Sequence, residues 1–203
     1  MAEPFPQDVF LEGYFAPMGM ECEAPDLIIE GELPSDLNGV YFRNGPDPLH
    51  GPREGEAYHW FHGDGMIQRW EFDNGRVNWR NRWVRTRKYE LERAAGKSLF
   101  GVLGNPFNMG PSVAGEPYNT ANTHIVYHGN RLMALMEGTN AVLMDPANLD
   151  TLQDFDTTEP SADLSRLTPK STLTLARWCS SVARPPDRAA PTWVITSPTR
   201  TAT

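Results

Sequence analysis

The chain has 203 residues, a formal net charge of -8 and a hydrophobic fraction of 39%. This length suits one globular domain or slightly more, and the scattered basic residues argue against a nucleic-acid-binding protein, which needs clustered Lys and Arg. No apolar run approaches the roughly 20 residues that cross a bilayer, and the N-terminus lacks a signal-peptide pattern, so we expect a cytoplasmic protein. Cys22 and Cys179 lie far apart, which indicates neither a disulfide framework nor a thiolate metal site.

The first part of the chain has the pattern of short strands joined by turns. A Pro-rich arm occupies residues 1–30, and the apolar stretch at residues 27–32 is the first predicted strand. A second strand is predicted at residues 40–42. The Asn-Gly and the two prolines of residues 43–48 predict a loop, because proline cannot donate to a central strand pairing.

The clearest signal is a β-hairpin with arms at residues 66–72 and 76–85. Asn74-Gly75 between the arms suits the positive φ angles of a type I′ turn. Val and Trp alternate with Asn and Arg in the second arm, which is the period of a strand with one buried face.

A short helix and a second meander follow. Residues 88–95 are mostly good helix formers, and Gly96 stands where a left-handed C-cap is expected. Strands are predicted at residues 123–127, 132–136 and 141–144. Short strands at this spacing indicate a sandwich, a barrel or a propeller.

The chain changes character near Asp156. Residues 158–203 contain six basic and three acidic residues, no long apolar alternation, and prolines that interrupt any helix. This composition predicts a disordered tail.

The five histidines do not predict a metal site. His59 and His62 would face opposite sides of a strand, and about 13 Å would separate His124 from His128, too far for two bonds of about 2.1 Å to one metal. His50 lies in a Gly/Pro loop. We expect all five to be structural histidines with satisfied or solvated rings.

Asp64, followed by Gly65 and then by Asp73, is a candidate cation-binding loop. The spacing is not that of the calcium motif, which has acids at alternate positions. No Lys-Ser/Thr follows, so a phosphate loop is excluded as well. We therefore interpret these residues as surface turns.

Three strings in the sequence resemble those of the carotenoid cleavage oxygenase family, including its bacterial lignostilbene-dioxygenase-like members. They are LPSDLNGVYFRNGP at residues 33–46, YHWFHGDGM at 58–66 and ANTH at 121–124. The resemblance covers about residues 31–156. It implies an all-β fold: the N-terminal portion of a seven-bladed β-propeller, incomplete, with one short helix.

This resemblance divides the chain into three segments. Residues 1–30 form the N-terminal arm, 31–157 the partial propeller and 158–203 the disordered tail.

The resemblance also implies a chemistry. Family members use a non-haem Fe(II), held by four histidines, to split a conjugated C=C bond with O₂ into two carbonyl products. The expected substrate of the full-length enzyme is a carotenoid, an apocarotenoid or a stilbene-like molecule. Peripheral contact with a membrane is left open, and no protein or nucleic-acid partner is expected.

No histidine follows His128, so all four family ligands are missing from this chain. We therefore expect that the chain as it stands binds no iron and is inactive.

Two site residues follow from the resemblance. Thr123 matches the family residue beside the open coordination position of the iron, and Glu137 matches the carboxylate that orients an iron histidine. Without the resemblance, Thr123 is an ordinary strand residue and Glu137 a solvated acid beside a turn. Met136 stands where lignostilbene-cleaving members carry a phenol-binding Lys, which disfavours a phenolic stilbene and leaves an apocarotenoid or related polyene.

Codon degeneracy offers an explanation for the tail. In another reading frame, residues 166–182 permit PHPKVDPDTGEMVFFG and residues 192–201 permit NVGYHVTDAD, both typical of the family. The hypothesis is a frameshift near residues 156–159, real or from sequencing, which makes residues 158–203 an out-of-frame product.

A second class of function is a non-catalytic β-rich fragment or binding module that uses its Trp and Phe surface. Blades cut from a propeller leave strand edges exposed, which invites aggregation. A soluble, cooperatively melting monomer would favour the module, whereas aggregation without bound iron would favour the broken enzyme.

Overall fold

A computed structural model describes residues 5–155 and 194–196. The first of its two sheets contains strands from both ends of the chain. These strands are β1 Glu23–Ala24, β2 Gly39–Pro46, β3 Gly65–Asp73, β4 Arg76–Trp83 and β9 Val194–Thr196. Their order across the sheet is β1-β4-β3-β2-β9, and all neighbours are antiparallel.

The second sheet is an antiparallel meander in which each strand pairs with the next in the chain. Its strands are β5 His124–His128, β6 Arg131–Leu135, β7 Val142–Met144 and β8 Thr151–Asp154. The sequence predicted β5 to β7 but not β8. A four-stranded meander is the usual blade of a propeller. The all-β class is therefore confirmed for the described residues, while the seven-bladed ring stays a prediction.

The predicted hairpin is confirmed as β3 and β4. Asn74 and Gly75 have φ angles of 48° and 81°, as a type I′ turn requires. Val77 and Trp83 are buried on one face of β4, and Asn81 joins them there with no exposure. Asn81 is polar, yet its amide is satisfied because it donates to the carbonyl of Met20 and accepts from the N–H of Cys22.

Helix α1, Arg87–Ala95, begins one residue before the predicted start. The hydroxyl of Thr86 accepts the N–H of Tyr89 as an N-cap, and Gly96 ends the helix at a φ of 69°. No helix in the described part of the chain is long and apolar enough to span a membrane.

Two predictions about the first strands are wrong. Residues 27–32 are not a strand, because Asp26 and Gly31 adopt positive φ angles that interrupt an extended chain, and Ile28 is 96% exposed. Residues 43–46 are not a loop but the second half of β2. Pro46 is tolerated as the last residue of β2, where its missing N–H removes no pairing.

The tail prediction falls mostly outside the described residues. Within the predicted tail, Val194–Thr196 is a strand that pairs with Val40 to Phe42 of β2, and the disorder of residues 158–203 stays a prediction. Pairing at a sheet edge uses backbone hydrogen bonds, and these need an extended chain rather than a particular side-chain pattern.

The main core lies between the two sheets. Ile67 of β3 and Val84, both fully buried, meet the inner face of the second sheet. The other buried members of this core are Phe42, Ala121, Ile125, Leu132, Ala134, Val142, Met144 and Leu149. The loop before β5 is therefore pressed against the first sheet.

Gly65 marks the closest approach of that loop to the first sheet. The N–H of Gly65 donates to the carbonyl of Thr120 at 2.7 Å. A methyl group at Gly65 would overlap the carbonyl oxygen of Ala121, which is backbone and cannot move aside independently. Only glycine fits here.

We predict that Gly65→Ala lowers the free energy of unfolding by about 2–3 kcal/mol, because an added methyl forces the loop away from the sheet. Gly45→Ala is the matched control, since Gly45 also lies in a strand of the first sheet but has open space around its Cα. Urea unfolding of the two variants measures the difference. Equal stability of both variants would contradict this packing.

Candidate functional site

The structure brings Thr123 and Glu137 together. Thr123 directly precedes β5 and Glu137 follows β6, and the pairing of His124 with Leu135 places the two residues at the same end of the hairpin. The hydroxyl of Thr123 donates to Oε2 of Glu137 at 3.0 Å. Both side chains are exposed. The two residues proposed from the resemblance are thus one hydrogen-bonded pair at the surface.

Asn122 anchors this pair to the YHWFHGDGM segment. Its side-chain amide donates to the carbonyls of Phe61 and Gly63, at 2.8 and 2.6 Å. Its Oδ1 lies 3.2 Å from the hydroxyl of Thr123. Asn122 is 3% exposed, so these bonds are formed away from water and are strong.

Asn44 of β2 performs a similar role from the other side. Its Nδ2 donates to the carbonyls of Ala121 and His124, at 2.8 and 2.9 Å. The three strings that carry the family resemblance therefore meet at one place in the fold. Neither asparagine was predicted as a site residue, because an Asn in a turn-like string is ordinarily interpreted as a turn residue.

Met136 directly precedes Glu137 and contacts Thr120 in the loop before β5. Both the N–H and the hydroxyl of Thr120 are 3.3 Å from its Sδ. The side chain is therefore turned toward the buried loop and places no charge beside Glu137.

A group of buried charges lies behind the site. Lys88 of α1 is 1% exposed and its Nζ lies 2.9 Å from Asp64 and 2.7 Å from Glu92. Burial alone would lower the pKa of Lys88, but the two carboxylates raise it above its ordinary value. The interpretation of Asp64 as a surface turn residue is wrong, because its carboxylate is buried and bound to Lys88.

The carboxylate of Glu92 is satisfied by backbone as well as by Lys88. Its Oε1 accepts the N–H groups of Leu99 and Phe100, at 2.8 and 3.1 Å. The cluster therefore ties α1 to the segment after it and, through Asp64, to the first sheet. A Lys and a Glu four residues apart on a helix usually form a solvated pair, so no signal in the sequence indicated burial.

His59 and His62 do not lie on a strand. His59 caps the 3-10 turn Trp60–His62, with its Nδ1 accepting the N–H of Phe61, and His62 is the last residue of that turn. His62 is 2% exposed, and its Nδ1 is 2.9 Å from the hydroxyl of Tyr118. Its Nε2 is buried and has no partner among the described residues, as is also true of Nε2 of His50. The expectation of satisfied rings is wrong for these two atoms.

Burial, together with the nearby charges of Lys88 and His59, lowers the pKa of His62 from 6.5 to about 3. The ring is therefore neutral in the folded protein at any ordinary pH. His124 and His128 are the first and last residues of β5, so the strand extends one residue beyond its predicted end at 127.

The described residues do not fit an iron centre. Across residues 5–155, no three His, Cys, Asp or Glu side chains come together as a metal-holding group. Thr123 and Glu137 supply one hydroxyl and one carboxylate, whereas iron oxygenase centres are built on several imidazoles.

The fold resembles solved structures of oxygenases. Pseudomonas brassicacearum lignostilbene dioxygenase matches with a TM-score of 0.71 and 38% identity, over 75% of this chain and 32% of that chain. A variant of Synechocystis apocarotenoid oxygenase matches with a TM-score of 0.58 and 34% identity, over 69% of this chain and 30% of that chain. These matches define the class: the chain has the fold of the aligned third of these oxygenases.

Curated relatives agree with this class. Lignostilbene-alpha,beta-dioxygenase isozyme III of Sphingomonas paucimobilis is 39% identical over 72% of this chain and 30% of its own length. Isoeugenol monooxygenase of Pseudomonas putida is 39% identical over 73% and 31%. Carotenoid cleavage oxygenase of Mycobacterium tuberculosis is 36% identical over 75% and 29%. The chain thus spans about a third of the length of these relatives.

The family described as retinal pigment epithelial membrane protein matches residues 15–180. The chain belongs to this family, which is the carotenoid cleavage oxygenase family that its motifs predicted.

We predict that Lys88→Met lowers the free energy of unfolding by about 3–5 kcal/mol, because it leaves two buried carboxylates without a counter-charge. The neighbouring exposed pair of Arg87 and Glu116 supplies the control, and Arg87→Met should change stability little. Denaturant unfolding at pH 7 tests both variants. If Lys88→Met is no more destabilising than Arg87→Met, the buried cluster is not a determinant of stability.

His62 predicts a loss of stability in mild acid. In the unfolded chain His62 binds a proton below pH 6.5, whereas in the folded protein it does so only below about pH 3. The free energy of unfolding therefore falls as the pH falls through this window. Between pH 7 and pH 5 this one group accounts for about 2 kcal/mol.

The measurement is urea unfolding of the wild-type chain and of His62→Gln at both pH values. His62→Gln should lose this part of the acid sensitivity, while His128→Gln, at an exposed histidine, should keep it. Identical pH dependence in wild type and His62→Gln would refute the assignment.

Proposed function

We propose that this chain is the N-terminal part of an Fe(II)-dependent oxygenase that cleaves a conjugated C=C bond of a carotenoid, apocarotenoid or stilbene-like molecule into two carbonyl products. The names of its relatives support this activity: they are a lignostilbene dioxygenase, an isoeugenol monooxygenase and a carotenoid cleavage oxygenase. All of them are much longer than the aligned region, so the activity belongs to the full-length enzyme.

The observation that carries the proposal is the Thr123–Glu137 pair, held at the surface by Asn122. Solved structures of the Synechocystis enzyme include variants at a threonine, at a tryptophan thirteen positions later and at the glutamate directly after that tryptophan. Thr123, Met136 and Glu137 have the same spacing. In the full-length enzyme, Glu137 would orient an iron histidine and Thr123 would face the open side of the metal.

The surroundings of the pair favour an apolar substrate. Met136 replaces the Lys that a phenol-binding site would carry, and its sulfur is engaged by Thr120. Trp60 and Phe61, 40% and 57% exposed, belong to the segment that Asn122 holds beside Thr123. An apocarotenoid or related polyene would gain contact with these rings, whereas a phenolate would find no counter-charge at position 136.

We further propose that the 203-residue chain itself is inactive. Across residues 5–155 no group of side chains fits an iron centre, and the frameshift hypothesis would put the missing histidine blocks in another reading frame of the tail. Resequencing the coding DNA from the codon of Leu149 onward tests this origin. One inserted or deleted base should restore PHPKVDP and further histidine blocks downstream, whereas DNA that confirms the tail in frame would reject the frameshift.

Activity measurements then compare the frame-restored protein with the 203-residue chain. With Fe(II) and O₂, the restored protein should cleave an apocarotenal to two carbonyl products, more efficiently than it cleaves a phenolic stilbene, and the short chain should cleave neither. Glu137→Gln in the restored protein should lower turnover about 10–100-fold, because the carboxylate orients a metal ligand.

Glu90→Gln, at an exposed carboxylate of α1, is the matched control and should leave turnover unchanged. Iron-dependent turnover by the short chain would refute its inactivity. Absence of any cleavage by the restored protein would refute the oxygenase assignment.

A binding module remains the second candidate, since Trp60 and Phe61 are exposed aromatic residues at the surface. Size-exclusion chromatography and thermal melting of the short chain distinguish the two. A cooperative monomer would favour the module, and aggregation would favour an incomplete enzyme.

A further inference from the structure

The N-terminal arm lies along β4, which would otherwise be the edge strand of the first sheet. Regular strand pairing is confined to two residues, Glu23 and Ala24, which lie opposite Arg80 and Trp79. The rest of residues 18–27, which we call the latch, is attached mainly through side chains. No continuous ladder of backbone hydrogen bonds therefore holds the latch on β4.

Each of the three acidic residues of the latch pairs with arginine on or just after β4. The pairs are Glu21 with Arg85, Glu23 with Arg80 and Arg82, and Asp26 with Arg76. The strongest of them is that of Glu21, whose two carboxylate oxygens both lie 2.8 Å from Nη2 of Arg85. The latch and β4 thus carry complementary charges along their contact.

These ion pairs are open to solvent. The exposed fraction of the paired side chains ranges from 22% for Glu21 to 65% for Arg76. Exposed charges attract one another weakly, and dissolved salt screens the attraction further. The attachment of the latch should therefore weaken as the ionic strength rises.

Apolar burial contributes little to the latch. None of residues 18–27 is buried, and Met18 and Met20 are 39% and 58% exposed. The two sheets, in contrast, are joined by a core of buried apolar side chains. Local opening of a segment with few buried contacts costs much less free energy than global unfolding, so the latch can open while the sheets stay folded.

Two N–H groups of β4 have the latch as their hydrogen-bond acceptor. The N–H of Asn81 donates to the carbonyl of Cys22 at 3.1 Å, and the N–H of Trp83 donates to Oε1 of Glu21 at 2.9 Å. Both N–H groups lose these acceptors when the latch opens. Their exchange with solvent therefore reports the state of the latch.

The segment just before the latch covers an aromatic turn. Residues 8–15, which we call the lid, contribute two rings to this contact. The ring of Phe15 packs edge-on against Trp60 with 5.1 Å between the centroids, and the ring of Phe10 lies 6.0 Å from that of His59. The lid thus shields part of the turn from solvent.

The lid has little attachment of its own. Leu11 is the one buried residue among residues 5–27, and Phe15 is 39% exposed although it contacts the turn. Only two residues separate Phe15 from the start of the latch. An open latch therefore leaves the lid with a single buried side chain as its anchor.

We propose that the N-terminal arm is a salt-sensitive cover, in which the charged latch holds the lid over the ring of Trp60 and its release exposes that ring. Asn122 bonds the same turn at Phe61 and lies beside Thr123, so the uncovered ring would border the candidate site. The latch and the lid lie within residues that the short chain contains. The proposal therefore depends neither on iron nor on the oxygenase activity.

Amide hydrogen exchange of the full 203-residue chain, measured by mass spectrometry, tests the latch. It is run at about 0.1 M and about 1 M sodium chloride, between which the Debye length falls from about 10 Å to about 3 Å. Exchange across residues 18–27 and 81–83 should accelerate about threefold or more at high salt. Exchange across β6, residues 131–135, is the internal control and should not change. A latch whose exchange does not respond to salt would overturn the proposal.

Hydroxyl-radical footprinting at the same two salt concentrations tests the lid. Oxidation of Trp60 should rise by up to about twofold at high salt, because its ring is only 40% exposed while the lid is in place. Phe107, which is 97% exposed, is the reference for radical dose. Faster exchange of the latch without greater oxidation of Trp60 would show that the lid does not depend on the latch, and it too would overturn the proposal.

A variant of the latch removes its charges without salt. It combines Glu21→Gln, Glu23→Gln and Asp26→Asn. At low salt this variant should show the exchange and the Trp60 oxidation that the wild-type chain shows at high salt, and added salt should change them little. Protection of β6 in the same sample verifies that the variant is folded.

The matched control removes three charges from the segment that follows the latch. It combines Glu30→Gln, Glu32→Gln and Asp36→Asn, at exposed residues that form no ion pair within the described part of the chain. This control should behave like the wild-type chain at both salt concentrations. Equal effects of the two triple variants would show a general effect of charge and would overturn the latch. Should the latch variant not fold, the salt response of the wild-type chain and of the control decides.

Discussion

Two side-chain amides, those of the half-buried Asn44 and the buried Asn122, connect the loop before β5 to the earlier part of the chain. Asn44 reaches from the first sheet to two carbonyls of the loop before β5, and Asn122 reaches back from that loop to two carbonyls beside the 3-10 turn. Each amide donates hydrogen bonds to two backbone carbonyl groups that lie far away in the sequence and need donors. The loop is thereby fixed against the first sheet, and the position of Thr123 depends on that attachment.

The charged cluster around Lys88 also connects separate parts of the chain, away from Thr123. The ammonium group of Lys88 joins α1 to Asp64, which directly precedes β3, and the carboxylate of Glu92 joins α1 to the segment after the helix. Buried ion pairs contribute little net stability compared with apolar packing, but they tolerate only one arrangement. The ion pairs of Lys88 therefore fix the position of α1, while the apolar core between the two sheets fixes the positions of the sheets.

The elements that were predicted correctly are those whose sequence signal is local. The hairpin followed from Asn74-Gly75 and the helix from Gly96, since in both cases the signal and the structure occupy the same few residues. The extension of β2 through Pro46 and the burial of Asp64 could not be predicted, because both depend on partners far away in the sequence. The choice of Thr123 and Glu137 as site residues came only from the family resemblance, and their hydrogen bond was not predicted.

The pairing of β9 with β2 has a consequence for what can occupy this edge of the sheet. Three residues are held there in register with Val40 to Phe42. A strand that pairs at a sheet edge needs an extended backbone and N–H groups that can donate, whereas its side chains matter little. A segment that was never selected for this position, as an out-of-frame tail would be, can therefore extend the sheet provided that no proline interrupts the pairing. The edge of the first sheet thus accepts a strand without a matched sequence.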